Sequence, residues 1–130
     1  MIKLTRNAYH PDICFFNKEK SKCFQDDQTL FPAPDFIAEI ISDSTEHRDR
    51  GVKFDDYEAH SITEYWIIDP ENQFLEQYHL KEGKYELILK SGTGTVTSVV
   101  VAGFQIPVQA IFNEAENQKI LRSFLASPSV

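Results

Sequence analysis

One segment of the chain, Asp35 to Ser42, is almost continuously apolar, and it constrains the fold more than any other part of the sequence. Such a run is typical of a central strand that is covered on both faces. The proline-rich segment Phe31 to Pro34 precedes it, and proline biases its neighbours toward an extended conformation. Glu39 is the exception within the run. A buried, ionised carboxylate costs several kcal/mol unless a cation, a metal or several hydrogen-bond donors contact it.

The rest of the sequence predicts one helical crossover and a series of further strands. Ser42 to Thr45 offers N-cap side chains for a helix over 47–60, in which Gly51 is unfavourable. Strands are predicted over 12–16, 35–42, 64–69, 74–80, 84–90 and 95–101, a loop over 17–28, and short helices over 107–111 and 115–125. Strand, helix and strand in this order imply a right-handed crossover. We therefore expect a mixed α/β or α+β fold around one sheet.

Length and charge limit the classes of function. A chain of 130 residues with 42% hydrophobic content fits one domain, predicted as residues 1–130. The net charge is −7 and the isoelectric point is 5.0, which argues against a generic basic coat for nucleic acids. Any contact with nucleic acid must therefore depend on a local positive surface.

The sequence predicts a cytoplasmic protein. It has no run of about 18 apolar residues that could cross a bilayer, and the segment Met1 to Arg6 lacks the apolar core of a signal peptide. Cys14 and Cys23 lack the spacing of a zinc site, and we expect free thiols in a reducing compartment.

Two carboxylates are candidates for a metal site. Asp12 begins the predicted strand before that of Glu39, and neighbouring strands could bring both to one edge of the sheet. Two carboxylates suit a hard cation such as Mg²⁺. The alternatives are a turn or cap role for Asp12 and a Glu39 that reaches water or an arginine. Asp35 shares a face with Glu39 but lies roughly 13 Å along the strand, too far to share one ion.

Lys53 lies on the predicted helix that follows the Glu39 strand. Asp49, Lys53 and Tyr57 are spaced i, i+4 and i+8, so they share one helix face. An ammonium that reaches the carboxylates could orient a water molecule or stabilise phosphate charge in a transition state. The alternative is a solvated lysine paired with Asp49 or Asp56. Tyr57 either supports Lys53 or packs its ring on the sheet.

Other motifs for metal or phosphate chemistry are absent from the sequence. The four histidines show no ligand spacing. Gly92-Thr93-Gly94 lacks the helix and lysine of a phosphate-binding loop, and there is no nucleophile elbow.

Several segments resemble, in order, the Uma2 family of the PD-(D/E)XK, restriction-endonuclease-like superfamily. They are Pro11-Asp12-Ile13, Pro34 to Ser42, Ser44-Thr45, Asp49 to Lys53, Tyr57 and Glu64 to Pro70. The resemblance implies a mixed central sheet flanked by helices and a divalent-metal phosphodiesterase site. In that site Asp12 is similar to the first Asp of the motif and Glu39 to its second acidic residue. Ile41 stands where the superfamily has lysine, and the resemblance suggests that Lys53 takes over that role.

The chain also departs from the family. It begins almost at the first Asp of the motif, whereas members usually carry a further helix and a first strand. We therefore expect a restriction-endonuclease-like sheet that lacks both elements. A missing helix would leave apolar sheet surface exposed, which predicts that the chain forms a homodimer.

The resemblance predicts an endonuclease that hydrolyses DNA with Mg²⁺ or Mn²⁺ held by Asp12 and Glu39, with Lys53 as the third catalytic residue. Their carboxylates should lie about 3 to 6 Å apart if they share an ion. A local positive rim for DNA would consist of Arg48, Arg50, Lys53 and the loop lysines Lys18, Lys20 and Lys22. The alternative is a catalytically inactive Uma2-like domain that dimerises or binds a partner.

Overall fold

The chain folds around a five-stranded sheet with helices packed against it. The structure, a computed structural model, describes residues 1–126. The strands are β1 (Ile2–Lys3), β2 (Ala8–Tyr9), β3 (Ile13–Phe15), β4 (Phe36–Ile40), β5 (Glu64–Asp69), β6 (Phe74–Lys81), β7 (Lys84–Ser91), β8 (Thr95–Thr97) and β9 (Gln105–Pro107). The helices are α1 (Lys18–Ser21), α2 (Glu46–Arg50), α3 (Val52–Ala59), α4 (Gln109–Phe112) and α5 (Glu114–Ala126).

The five-stranded sheet has the strand order β3-β4-β5-β6-β7. Strands β4 and β5 are parallel, and the other neighbouring pairs are antiparallel. The connection from β4 to β5 carries α2 and α3, as a crossover between parallel strands requires. The prediction of a mixed α+β fold around one central sheet is therefore confirmed.

Side chains of β4 and β5 alternate between two apolar cores, one on each face of the sheet. Ile37 and Tyr65 belong to the core that includes Tyr57 of α3. Phe36 and Trp66 belong to the core on the opposite face, together with residues of β8 and β9. Burial on both faces explains why β4 is almost continuously apolar.

Gly51 divides the helix predicted over 47–60 into α2 and α3. Its backbone has φ −107° and ψ −101°, which is not helical. A Cβ at this position would lie 2.7 Å from the carbonyl oxygen of His47, closer than a real side chain allows. The helix face that was predicted to be continuous is therefore assembled from two helices, with Asp49 on α2 and Lys53 and Tyr57 on α3.

The predicted strand over 95–101 ends early, at Thr97. The residues that follow donate hydrogen bonds to the buried carboxylate of Glu64 rather than to a neighbouring strand. Glu64 accepts hydrogen bonds from the Ser98 hydroxyl and from the backbone N–H groups of Val99 and Val100, at 2.7 to 2.9 Å. Trp66 and Gln77 donate to its second oxygen. The bonds from Ser98, Val99 and Val100 connect β5 to the segment between β8 and β9.

The remaining differences concern short elements. The loop predicted over 17–28 contains the single turn α1, which Asn17 caps by accepting a hydrogen bond from Lys20. The pairs β1–β2 and β8–β9 include strands of two or three residues that the sequence does not predict. Within residues 1–126, no helix has both the length and the apolar content needed to cross a membrane.

Candidate functional site

Glu39 is a buried carboxylate near the C-terminal end of β4, with 1% of its side chain exposed. Its Oε2 accepts hydrogen bonds from Lys53 Nζ at 2.8 Å and from the Tyr57 hydroxyl at 3.0 Å. Its Oε1 accepts one from the backbone N–H of Asp12 at 2.9 Å. One cation and two neutral donors therefore offset the cost of burying this charge.

The ammonium of Lys53 lies between two carboxylates. Its Nζ is 2.8 Å from Glu39 Oε2 and 3.1 Å from Asp49 Oδ1, and the side chain is 14% exposed. The ring centroid of Tyr9 lies 5.9 Å from Nζ, within the range of a cation–π contact. Lys53 is thus not the solvated lysine of the alternative interpretation, although Asp49 is one of the partners which that interpretation named.

Asp49 is the second buried acidic residue at this site, with 2% of the residue exposed. Its Oδ1 receives no aligned hydrogen bond from any of residues 1–126, although Lys53 Nζ is 3.1 Å away. The contact has the distance of an ion pair without the direction of a hydrogen bond. The Tyr65 hydroxyl donates to the backbone carbonyl of Asp49 at 2.8 Å, which holds the main chain in place.

Asp12 lies next to Glu39, directly before β3. Extending the register of Ile13 with Ala38 by one residue places Asp12 opposite Glu39. While the N–H of Asp12 donates to Glu39 Oε1, its own Oδ2 accepts from the backbone N–H of Ile40 at 2.8 Å. Asp12 is exposed, so a cation from solvent can reach this side of the pair.

The carboxylates raise the pKa values of the groups that donate to them. Burial lowers the pKa of Lys53, but the hydrogen bond and charge of Glu39, together with the nearby carboxylate of Asp49, outweigh burial and leave this pKa above its ordinary value. Burial raises the pKa of Tyr57, and the charge and hydrogen bond of Glu39 raise it further. At neutral pH, Lys53 is therefore an ammonium and Tyr57 a neutral hydroxyl.

The chemistry of Asp12 and Glu39 suits a hard divalent cation. Both offer carboxylate oxygens, which Mg²⁺ and Mn²⁺ prefer, and Mg²⁺ commonly takes one or two carboxylates and keeps several waters. Asp49 Oδ1, which lacks an aligned hydrogen bond and lies 3.1 Å from Lys53 Nζ, is a further acidic oxygen close by. Residues 1–126 contain no group of three or more His, Cys, Asp or Glu side chains placed to hold a metal. An ion at this site would therefore depend on two carboxylates and on solvent.

The position two residues after Glu39 is apolar in structure as well as in sequence. Ile41 is 4% exposed and belongs to the core between the sheet and α3. The ammonium reaches Glu39 from α3 instead. Asp35 lies outside this group, because it pairs with Lys20 at 3.0 Å and accepts a hydrogen bond from the backbone of Asn17.

Acidic partners neutralise most of the residues expected to form a positive rim. Lys20 pairs with Asp35, Lys22 with Glu19, Lys53 with Glu39 and Asp49, and Arg50 with Glu46 and Glu76. Within the described part of the chain, Arg48 and Lys18 are the members of that set without an acidic group at ion-pair distance. The local positive surface is therefore smaller than the sequence suggests.

The sequence alone did not assign two further buried acidic residues on this face. Asp49 carries a usable signal, the i, i+4 spacing to Lys53. Glu76 lies in line with Glu39 across the sheet, through Ile67, and pairs with Arg50 at 2.8 Å. No pattern marks Glu76 as buried, because an acidic residue in an alternating strand normally faces solvent.

Comparison with known proteins places these residues in a family. Residues 1–109 match the Uma2 family, described as a putative restriction endonuclease. A crystal structure of a putative nuclease belonging to DUF820, from Anabaena variabilis, shares the fold with a TM-score of 0.70 and 18% sequence identity. The match covers 85% of this chain and 63% of the length of that protein. No curated protein matches the sequence. Because the family match extends over far more than half of the sequence, the chain belongs to the Uma2 family and has its nuclease-like fold.

Proposed function

We propose that this chain is an endonuclease that hydrolyses phosphodiester bonds of DNA with the help of Mg²⁺ or Mn²⁺. Asp12 and Glu39 are the proposed metal ligands, and Asp12, Glu39 and Lys53 the proposed catalytic residues. The observation that carries the proposal is the buried Glu39 carboxylate, which joins an exposed Asp12 on one side and an ammonium from α3 on the other. Membership of the Uma2 family, described as a putative restriction endonuclease, supports it, because enzymes of the restriction-endonuclease type generally depend on divalent metals.

Each protein group has a separate task in this proposal. Asp12 and Glu39 would hold a divalent cation, which would supply activation of a water molecule as nucleophile at neutral pH. The Asp12 N–H orients the Glu39 carboxylate, and the Ile40 N–H orients the Asp12 carboxylate. The Lys53 ammonium offsets the negative charge that develops on the phosphate in the transition state.

The charge distribution restricts how DNA could be bound. The net charge is −7, and most residues of the expected positive rim are already paired with acidic groups. Contacts with DNA phosphates would therefore be made by the few unpaired cations, such as Arg48 and Lys18. Few phosphate contacts predict weak binding with a shallow dependence on salt. We therefore propose that binding of the cleaved phosphate at the metal contributes a large share of the affinity for DNA.

The test is nicking of supercoiled plasmid DNA in the presence of Mg²⁺ or Mn²⁺. We expect nicking by the natural chain, its loss on addition of a chelator, and a decrease of at least about a hundredfold in Glu39→Gln. Glu76→Gln is the matched control, since Glu76 is equally buried on the same face but contacts neither Asp12 nor Lys53. Equal nicking by Glu39→Gln and Glu76→Gln, or activity that survives chelation, would contradict the proposal.

A second candidate function is partner binding by a catalytically inactive domain. Exposed apolar side chains on the second sheet face favour it, because Ile13 is 51%, Phe15 37% and Ile40 46% exposed around one groove. Titration with Mn²⁺ separates the two candidates. Binding that disappears in Glu39→Gln supports the nuclease, whereas absence of binding in the natural chain supports the inactive domain.

A further inference from the structure

The carboxylate that we propose as a metal ligand already holds a cation. Lys53 Nζ donates a hydrogen bond to Glu39 Oε2 at 2.8 Å, and the Tyr57 hydroxyl donates to the same oxygen. A divalent ion at Glu39 would therefore meet an ammonium at one of its two oxygens. Because like charges repel strongly in a site that is mostly buried, the ion and the ammonium would not both remain on Glu39.

A vacant acceptor lies next to the same ammonium. Asp49 Oδ1 is buried, receives no aligned hydrogen bond from the described residues, and is 3.1 Å from Lys53 Nζ. Buried oxygens without such a bond are uncommon in native structures and call for an explanation. The Tyr65 hydroxyl donates to the backbone carbonyl of Asp49 and so holds the main chain that carries this carboxylate.

We propose that Asp49 is a positioning residue, which takes over the Lys53 ammonium when a divalent cation binds at Glu39. The inference rests on the proposed metal site and adds to it an exchange of partners within the protein. A small rotation of the lysine side chain converts the electrostatic contact with Asp49 into a hydrogen bond and removes the ammonium from Glu39 Oε2, which keeps its hydrogen bond from Tyr57. Asp49 thus removes the competition between ammonium and metal, and Lys53 remains charged and close to the scissile phosphate.

The exchange predicts how substitutions affect metal binding. In Asp49→Asn the displaced ammonium has no carboxylate to receive it, so we expect the affinity for Mn²⁺ to fall about tenfold, which corresponds to about 1.4 kcal/mol. In Lys53→Met no ammonium competes for Glu39, so Mn²⁺ should bind at least as tightly as in the natural chain. In the Lys53→Met background, Asp49→Asn should change the affinity by less than about threefold, because there is no ammonium to place.

The experiment is a double-substitution cycle on the Mn²⁺ dissociation constant, measured by electron paramagnetic resonance of free Mn²⁺. Asp35→Asn is the control for the loss of one charge and one lysine partner, since Asp35 pairs with Lys20 away from the site. It should leave the affinity unchanged. An Asp49→Asn effect of equal size in both backgrounds would overturn the inference, because Asp49 would then act on the metal directly. Absence of Mn²⁺ binding in the natural chain would instead overturn the proposed function, and the inference with it.

A second measurement needs no substitution. In a crystal of the natural chain soaked with Mn²⁺, Lys53 Nζ should donate an aligned hydrogen bond to Asp49 Oδ1 and lie beyond 3.5 Å from Glu39 Oε2, the usual limit for a direct hydrogen bond. An ammonium still bound to Glu39 beside the metal would refute the exchange, even if the substituted proteins failed to fold.

Discussion

Three glutamates are buried in the central sheet, and their partners distinguish a candidate functional residue from structural ones. Glu64 is surrounded by five neutral donors, and none of its hydrogen bonds comes from a cation. Glu76 pairs with Arg50 and accepts a hydrogen bond from the Tyr78 hydroxyl. Glu39 alone among the three is hydrogen-bonded to an exposed residue that is itself acidic, Asp12. A cation can therefore reach Glu39 without disrupting the fold.

Replacement of Lys53 tests whether the ammonium contributes to cleavage. We expect Lys53→Ala to abolish Mg²⁺-dependent plasmid nicking while metal binding persists, because lysine stabilises charge rather than coordinating the ion. Lys20→Ala, which removes a lysine paired with Asp35, is the matched control and should nick normally. Melting temperatures of both variants monitor folding. Nicking by Lys53→Ala at the rate of the natural chain would show that the lysine of the motif is missing from this site.

The buried carboxylate of Glu76 is expected to make the free energy of unfolding depend on pH. Burial raises the pKa of Glu76. Hydrogen bonds from Arg50 and Tyr78 and the charge of Arg50 lower this pKa by more than burial raises it, so the net shift is downward. A lowered pKa contributes stability above the unfolded value of about 4.3, and this contribution disappears as the pH falls through the folded value. Glu76→Gln should therefore lower the free energy of unfolding by about 1–3 kcal/mol at pH 7, and by less at pH 3.

Urea unfolding at the two pH values measures this difference. Glu46→Gln is the control, because Glu46 also pairs with Arg50 but has 47% of its side chain exposed. We expect its effect to stay below about 1 kcal/mol. An equal loss of stability for Glu76→Gln at pH 7 and pH 3 would mean that the carboxylate charge contributes nothing.

At the scale of elements, strands with strong patterns were predictable and short ones were not. The predicted strand over 64–69 coincides with β5, and the hairpin strands agree with β6 and β7 to within one residue at each end. The pairs β1–β2 and β8–β9 depend on tertiary contacts instead. Tyr9 donates a short hydrogen bond to Asp56 of α3, and the backbone of Lys3 donates to Phe31. Two-residue strands show no periodicity that would reveal such contacts.

The candidate site was predictable where a local sequence pattern encodes it and not where tertiary contacts do. The apolar run around Glu39 and the spacing from Lys53 to Tyr57 are local patterns, and both correspond to contacts in the structure. Tyr57 serves in both of the ways considered, since its hydroxyl donates to Glu39 and its ring packs edge-on against Tyr65 at 5.1 Å. The burial of Asp49 depends on the break at Gly51 and on the Tyr65 hydroxyl, which no local pattern specifies.

The break between α2 and α3 makes Gly51 a position where a methyl group is not tolerated. In Gly51→Ala the new Cβ would meet the carbonyl oxygen of His47 at 2.7 Å, so one of the helices must shift. We expect a loss of about 1–3 kcal/mol in the free energy of unfolding, as for other overpacked sites. The shift should also change the distance between Asp49 and Lys53. Val52→Ala, at an exposed neighbouring position, should cost about 0.5 kcal/mol or less in the same denaturation experiment.

At the scale of the whole molecule, the two faces of the sheet are unequally covered. The face with Glu39 packs against α3, whereas part of the other face and all of β3 are exposed. Helix α5 contributes no buried residue and exposes Leu121, Phe124 and Leu125. That residues 1–130 form one domain stays a prediction, and residues 127–130 lie outside the described part of the chain.

The chain is expected to form a homodimer through the edge strand β3. β3 is at one end of the five-stranded order, so one side of its backbone has no partner strand within residues 1–126. All three of its residues are exposed, including Ile13 and Phe15. An apolar edge strand of this kind pairs readily with a second copy, and a two-fold axis closes the assembly.

We expect light scattering to show a dimer at tens of micromolar, on the scale of weak associations. Ile13→Lys should yield a monomer, since lysine on an edge strand opposes pairing, whereas Leu30→Lys, at an equally exposed loop position, should not. A natural chain that is monomeric at this concentration, or an Ile13→Lys variant that remains dimeric, would place the contact elsewhere or exclude it.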